Sequence, residues 1–390
     1  MSYLFIPVNM RTYICKRGII LPCILFIAFI CSGCHSNVTD PKMASINVYL
    51  ESIDSDTISF DSLFCDVTLI PLENKRDAML SFVPKMMAQE DKYIIFNLDA
   101  YPSVLLFNSD GTFQKQVGKL GHGHGEYEYV FDVSAREDGD IVLSTFDKFL
   151  VYDSDGLFLQ SEKAPEDAYM KNIQCFSGGL ICASNYSGSE SLINIFDNSY
   201  KRCCKMLTSD GVSLGNPPRM NRTLNVQGDT LYYFNPYASE IMLLDLSEHK
   251  LLKKYALVSD KMQTLELSEK AEASSTDLRD VDVAYYYYVE DGKVICNLSF
   301  HAERAFLEVD VANDRYALWT QEGWFPEIYD IHNQYYYSVL SQEEMLDLMK
   351  GRLYTTPRTR KMILEAYEKT GRELTEKDNF VIMRFKSREI

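Results

Sequence analysis

From about residue 80 to residue 340 the chain alternates between short apolar runs and polar punctuation. The runs are KYIIF, SVLLF, DIVLS, KFLVY, GLICA, LINIF, TLYYF, EIMLL, KVICN, AFLEV and QYYYSVL. Their content of Ile, Val, Leu, Tyr and Phe suits pleated, partly buried strands. Between them stand Asp-Gly, Gly-Gly and Asn-containing pairs, the residues of tight turns. The pattern predicts an all-β body.

The order of the punctuation carries more than its composition. MMAQEDKYIIFNLDAYPSVLLFNSDGTFQKQVG reads as strand, tight turn, strand, polar loop, strand, tight turn, strand, and FDVSAREDGDIVLSTFDKFLVYDSDGLFLQ repeats that order with Asp-Gly in the same slot. First-turn anchors recur at Asp91, Asp138, Gly178, Gly228, Asp291 and Asn333, 40 to 63 residues apart. Four-stranded units repeating at this period predict a β-propeller, and six anchors predict six blades. A β-sandwich also spaces strands every 8 to 12 residues or so, but it does not require one hairpin order to recur.

The tail changes period. SQEEMLDLMKG and TPRTRKMILEAYEKTGRELTEKD have helical spacing. Ser341 with Glu344 forms a capping-box pattern, and Gly351 and Gly371 stand where helices stop. NFVIMRFK then reads as a strand. The expectation is a small helical insertion in the last blade, about residues 341–376, followed by a closing strand at 379–386. VTLIPL, Val67 to Leu72, is its expected partner, so that strands from both chain ends complete one sheet and remove an exposed edge.

The amino terminus has a different character. Arg11, Lys16 and Arg17 precede an apolar run from Gly18 to Ile30, which ends in Cys31, Ser32, Gly33 and Cys34. That run is shorter than the roughly 20 residues a membrane span needs, and the layout is that of an export signal. Ser32-Gly33-Cys34 resembles a bacterial lipoprotein box, although Cys31 stands where Leu is usual. The resemblance implies a signal peptide at 1–33, an acylated Cys34 that anchors the chain to the membrane, a tether and lead-in at 34–62, and a propeller at 63–390. An ordinary secretory cleavage or an uncleaved anchor is the alternative. Removing 1–33 leaves 36 basic against 56 acidic residues, a net charge of −20. Nucleic acid is therefore excluded as an expected partner, since phosphate recognition needs a positive footprint.

Six cysteines come after Cys34, none in a CxxC spacing. Cys175 and Cys182 flank Ser177-Gly178-Gly179-Leu180, and a tight hairpin there places them opposite each other, close enough for a disulfide. Core packing is the alternative, and the favoured one.

The segment GKLGHGHGEYEY, Gly118 to Tyr129, admits three readings. A phosphate cradle needs a helix directly after it, and the residues after Gly125 are strand-like. His122, His124, Glu126 and Glu128 alternate as metal ligands on one face of a strand would. The favoured reading is a connector between blades one and two, with glycines where the chain turns. Together, VTLIPLE, LLFNSDGTFQKQVGKLGHGHGEY and EKDNFVIMRFK resemble the six-bladed propeller lipoproteins of Bacteroidota, of the NHL or TolB-like kind. Their glycine-rich motif is matched at Gly118, Gly121, Gly123, Gly125, Glu126 and Tyr127, while His124 and Phe380 replace usual prolines. The resemblance implies an outer-membrane lipoprotein of the cell envelope. The absence of acidic residues just after Cys34 favours the periplasmic side.

Propellers bind through loops at one mouth of the central channel. The loops between second and third strands supply Asp99, Tyr101, Asp147, Asn185, Tyr186, Asn235, Tyr237, His301, Glu303 and Arg304 as a candidate binding face. Aromatic, amide and carboxylate groups of this kind suit a glycan, a peptide or an envelope protein. Tyr285 to Tyr288 are read as packing between blades. No GxSxG, HExxH or Cys–His pattern is present. The expectation is a non-enzymatic binding or scaffold module with no cofactor, no metal and no catalytic residue. The alternative is a lactonase-like hydrolase or lyase whose channel metal is held by Asp99, Asn185 and Asn235.

Overall fold

The computed structural model describes residues 45–167, 170–183, 191–208, 222–235, 239–261 and 283–388. All lie in the compact unit His35–Ile390. Cys34 lies outside them.

The body is a six-bladed propeller of antiparallel four-stranded sheets. Blade one comprises Lys85–Ala88, Lys92–Asn97, Ser103–Asn108 and Phe113–Val117, and blade two Asp132–Ala135, Ile141–Ser144, Lys148–Tyr152 and Phe158–Lys163. Blade three holds Asn172–Phe176, Gly179–Ala183, Ser191–Phe196 and Arg202–Thr208, and blade four Leu224–Gln227, Thr230–Asn235, Glu240–Asp245 and Lys250–Val258. Blade five runs Val283–Glu290, Lys293–Phe300, Glu303–Asp310 and Arg315–Glu322. Blade six takes Asp330–His332, Tyr335–Leu340 and Val381–Ser387 from the carboxy-terminal part and Phe64–Pro71 from the amino-terminal part. All six anticipated first turns fall between first and second strands.

The apolar runs are continuous because each blade is covered on both faces. In blade one, Ile94 and Phe96 pack toward Val133, Leu143 and Leu150 of blade two. Tyr93 and Ile95, between them in sequence, pack toward Ile70, Tyr337 and Ile382 of blade six. Four further apolar clusters fill the gaps between blades two and three, three and four, four and five, and five and six. Period-two alternation therefore distributes side chains between two dry faces, not between core and water.

The outer turn is also repeated. At the end of the third strand Asp153, Asp197, Asp245 and Asp310 each accept backbone N–H groups two to four residues ahead, at 2.8–3.2 Å. These aspartate-capped turns satisfy donors that the bend takes out of the ladder.

Three helices adjoin blade six: α1 (Phe60–Leu63), α2 (Gln342–Lys350) and α3 (Pro357–Glu368). As anticipated, α2 and α3 are inserted before the closing strand. Ser341 Oγ accepts Glu344 N–H at 3.1 Å, and Gly351 ends α2 at φ 69°. Asp61 on α1 accepts the hydroxyls of Thr356 and Thr359 at 2.5 and 2.7 Å, which ties the insertion to the amino-terminal segment.

Several details differ from the sequence reading. The segment read as lead-in contains two strands, Ile46–Tyr49 and Ser55–Ser59, that add in parallel to the outer edges of blades four and five. The closing strand begins at Val381, and Asn379 serves as a buried clasp instead of a strand residue. It donates to the carbonyls of Glu73 and Ala78 and accepts from Leu80 N–H. The hairpin of blade three turns at Ser177-Gly178, one residue earlier than anticipated, so Cys175 pairs with Leu180 and Cys182 with Ile173. The two cysteines are diagonal neighbours, both are free thiols, and burial pushes the Cys175 thiol up to about 11.

Candidate functional site

The first strand of each blade is innermost, and each is entered from one common end of the propeller. Loops between second and third strands emerge at that end too. Leu98 N–H donates to Phe82 O, Phe131 N–H to Ser144 O and Phe234 N–H to Thr223 O, all at 2.8–2.9 Å. The insertion in blade six occupies the same slot. Its Glu344 accepts the indole N–H of Trp324, on the connection into blade six, at 2.9 Å.

A polar residue stands directly ahead of the first apolar contact in five inner strands. The pairs are Lys85-Met86, Asp132-Val133, Asn172-Ile173, Thr223-Leu224 and Asp330-Ile331. Strand alternation turns the apolar member toward the preceding blade and the polar member toward the next. The result is a polar ring around the axis. Lys85 Nζ contacts Asp132 Oδ2 at 3.1 Å and Ile173 O at 2.9 Å, and Asp132 Oδ2 also accepts Ile173 N–H at 2.8 Å. Three blades meet in that contact. Asp330 Oδ2 accepts Ala88 N–H at 2.7 Å and joins blade six to blade one. Ser134 and Gln227 make the same kind of link one or two steps further along their strands.

The ring is short of donors. Asp132, Asn172 and Thr223 are 0, 2 and 0 % exposed, yet among the described residues no group donates to Asp132 Oδ1, Asn172 Oδ1 or Thr223 Oγ1. Burial pushes the Asp132 carboxyl up to about 6, against the pull of Lys85 and the amides of Ile173 and Val133. Burial raises Asp330 as well. At the same end Arg222 pairs with Glu327, donates to Ile328 O and lies over the Tyr329 ring, linking the entries of blades four and six.

At the same end blade two carries an aromatic lip. Tyr129 and Phe131, on the connection into blade two, meet Phe146 from the loop of the same blade, with ring centroids 4.8–5.8 Å apart. Phe146 is 66 % exposed, and Tyr101 of blade one 70 %. Glu128 and Asp147, next to these rings in sequence, are exposed carboxylates.

The anticipated residues divide. Asp99, Tyr101 and Asp147 are exposed at the loop end, with Asp99 accepting from Ser81 Oγ and Ala100 N–H. Asn235 is a buried strand-end residue. Asn185, Tyr186 and Tyr237 lie outside the described residues. In blade five the expected loop reduces to His301-Ala302, both at positive φ, because Glu303 and Arg304 already belong to the third strand. His301 stacks on Phe300 at 4.0 Å. Among the described residues no three His, Cys, Asp or Glu side chains are placed to hold a metal. Of the tyrosine run, the Tyr288 ring meets Tyr336 between blades five and six; the side chains of Tyr285 to Tyr287 lie outside the described part of the chain.

The glycine-rich segment is a connector. Gly118 and Gly125 have φ of 63° and 68°. Tyr152 OH, beside Gly118, donates to Gly125 O at 2.8 Å. Glu126 accepts Gly123 N–H at 2.8 Å and pairs with Lys119 at 3.0 Å, while His122 pairs with Glu128. The four side chains that alternate in sequence therefore do not converge on one point. Missed by sequence reasoning were the ring residues and Phe146. The recurring polar-then-apolar step at the blade period was the signal.

Comparison with known proteins places the chain in a family. Residues 43–386 match the Domain of unknown function (DUF4934), and the chain belongs to that family. The fold is similar to that of a Bacteroides fragilis protein described as exported, with 16 % identity, a TM-score of 0.66, and coverage of 89 % of this chain and 100 % of that one. Weaker likenesses join it to the Neurospora crassa Pan2 WD40 domain (11 % identity, TM-score 0.41, coverage 79 % and 76 %) and to a Bacteroides caccae protein of unknown function (12 %, 0.39, 64 % and 82 %). No curated protein matches the chain.

Proposed function

We propose that the protein is a lipid-anchored propeller of the cell envelope, facing the periplasm, which binds a glycan, peptide or protein partner at the channel mouth and carries out no catalysis. The aromatic lip supports this reading most directly. An exposed phenylalanine, edge-to-face with Phe131 and tilted against Tyr129 on a loop held by rigid strands, offers a stacking surface at the end of the propeller where the polar ring lies. Fully burying a side chain of this size contributes about 1.5–3 kcal/mol, which a bound partner would recover.

The test is binding to an array of immobilised oligosaccharides and peptides. Phe146→Ala is expected to lose at least tenfold in affinity for the class retained by the wild type, with an unchanged melting temperature. Equal retention by both proteins would place binding elsewhere. The anchor is tested separately: Cys34→Ala is expected to move the chain from the membrane pellet into the soluble fraction. Continued sedimentation with membranes would refute acylation there.

A further inference from the structure

We infer that the axial ring is a recognition site for a primary ammonium group, carried by a small amine or by a lysine side chain of a peptide. This rests on the reading of the channel mouth as a binding face and adds the chemical class of what is bound.

Three observations carry it. The first is the kind of atom left over. Asp132 Oδ1, Asn172 Oδ1 and Thr223 Oγ1 are buried oxygens on three successive blades at one level, and no donor among the described residues reaches them. A buried acceptor without a donor is costly, and an –NH3+ group brings three donors and no acceptor. The second is charge. Asp132 and Asp330 contribute two negative charges and Lys85 one positive, which leaves one negative charge in the ring. Arg222 and Glu327 offset each other beside it. Water satisfies the hydrogen-bond count but leaves that charge; a monovalent ammonium answers both. The third is the approach. The rings of Tyr129, Phe131 and Phe146 offer π faces to a cation, and Asp147, next to Phe146 in sequence, is an exposed carboxylate at the same end. A divalent metal is disfavoured by Lys85 Nζ, 3.1 Å from Asp132.

The experiment is calorimetric titration of the mature chain at pH 7.5 with n-butylammonium and with the peptide Gly-Lys-Gly acetylated at its amino terminus and amidated at its carboxy terminus, set against n-butanol, the same capped peptide with its lysine acetylated, and potassium chloride. At least one charged probe is expected to bind ten times or more tightly than its neutral counterpart. Asn172→Ala and Thr223→Val are each expected to weaken it fivefold or more. Neither variant touches the Lys85–Asp132 contact, and circular dichroism melting establishes that both are folded. Binding of the peptide alone identifies a chain-borne lysine as the source; binding of both probes identifies a free-amine site. Equal binding of neutral probes, tight binding of potassium in place of the amines, no binding of any probe, or indifference to both ring variants would overturn the inference. Loss on Phe146→Ala with no effect of the ring variants would leave the mouth as a binding face while removing the ammonium site.

Discussion

Asp132 shows how one side chain can serve both the fold and the site. Its Oδ2 joins blades one, two and three, so its carboxyl is dry and titrates well above the ordinary range, at about 6 in place of 3.8. The titratable groups that act on it are Lys85, from the inner strand of blade one, and the Cys182 thiol of blade three. Between pH 4 and 6 the native carboxyl holds a proton that the unfolded chain has released. Stability from this group is therefore greatest at the acid end and falls as pH rises through that window. Wild type is expected to lose about 2 kcal/mol relative to Asp132→Asn over the interval. Urea midpoints of the two proteins measured at pH 4, 5 and 6 check this, and a constant difference would show that Asp132 is not titrating there. Nothing in the local run Val130-Phe131-Asp132-Val133 marks such a residue, because an isolated charge beside a strand reads equally well as loop. What buries it is its position around a ring, which becomes visible only when the blades are superimposed.

At the scale of elements, the connector from Gly118 to Tyr129 shows what was legible and what was not. Its role could be read from the absence of a helix after Gly125, and the six first turns from residues that favour tight reversals, such as Asp291-Gly292 and Asn333-Gln334, both at positive φ. Glycine is required at 118 for two reasons: φ is 63°, and a Cβ would lie 2.4 Å from Tyr152 OH and 2.9 Å from the Tyr127 ring. Gly118→Ala is expected to cost about 3 kcal/mol in denaturant unfolding. Gly123→Ala, which meets only the movable carboxylate of Glu126, should stay within about 1 kcal/mol. Similar losses at the two positions would mean that the docking of Gly118 on the tyrosines contributes nothing. The hairpin of blade three was misread for a related reason. Ser177-Gly178-Gly179 offers overlapping two-residue turns, and the observed one, with Gly179 at φ 146° against the backbone of Phe196 and Asp197, is selected by the neighbouring strand. A shift of the turn by one residue moves cross-strand partners by two, which separated Cys175 from Cys182.

For the whole molecule, closure was legible because VTLIPL and NFVIMRFK are strand-like segments left over once five complete blades are assigned. The parallel strands before them were not, since INVY and SDTIS pair with edges that only the assembled ring provides. These two uses of the amino-terminal segment predict different consequences of shortening it. A chain beginning at Phe60 lacks the edge strands but keeps Phe64–Pro71. It loses Val48 and Leu50 from the cluster between blades four and five, and it uncovers the outer edges of Lys250–Val258 and Arg315–Glu322. It should unfold cooperatively at a lower urea midpoint and self-associate through the bared edges, which sedimentation velocity would detect. A chain beginning at Glu73 loses more than an edge. Phe64, Val67 and Leu69 leave the cluster between blades five and six, Ile70 and Leu72 leave that between six and one, and Val381–Ser387 loses its outer partner. Each blade buries its faces only against its neighbours, so a gap at one seam exposes two clusters together, and this chain should show no cooperative transition by circular dichroism. Equal midpoints for the two shortened chains would mean that the seam at blade six does not hold the ring closed.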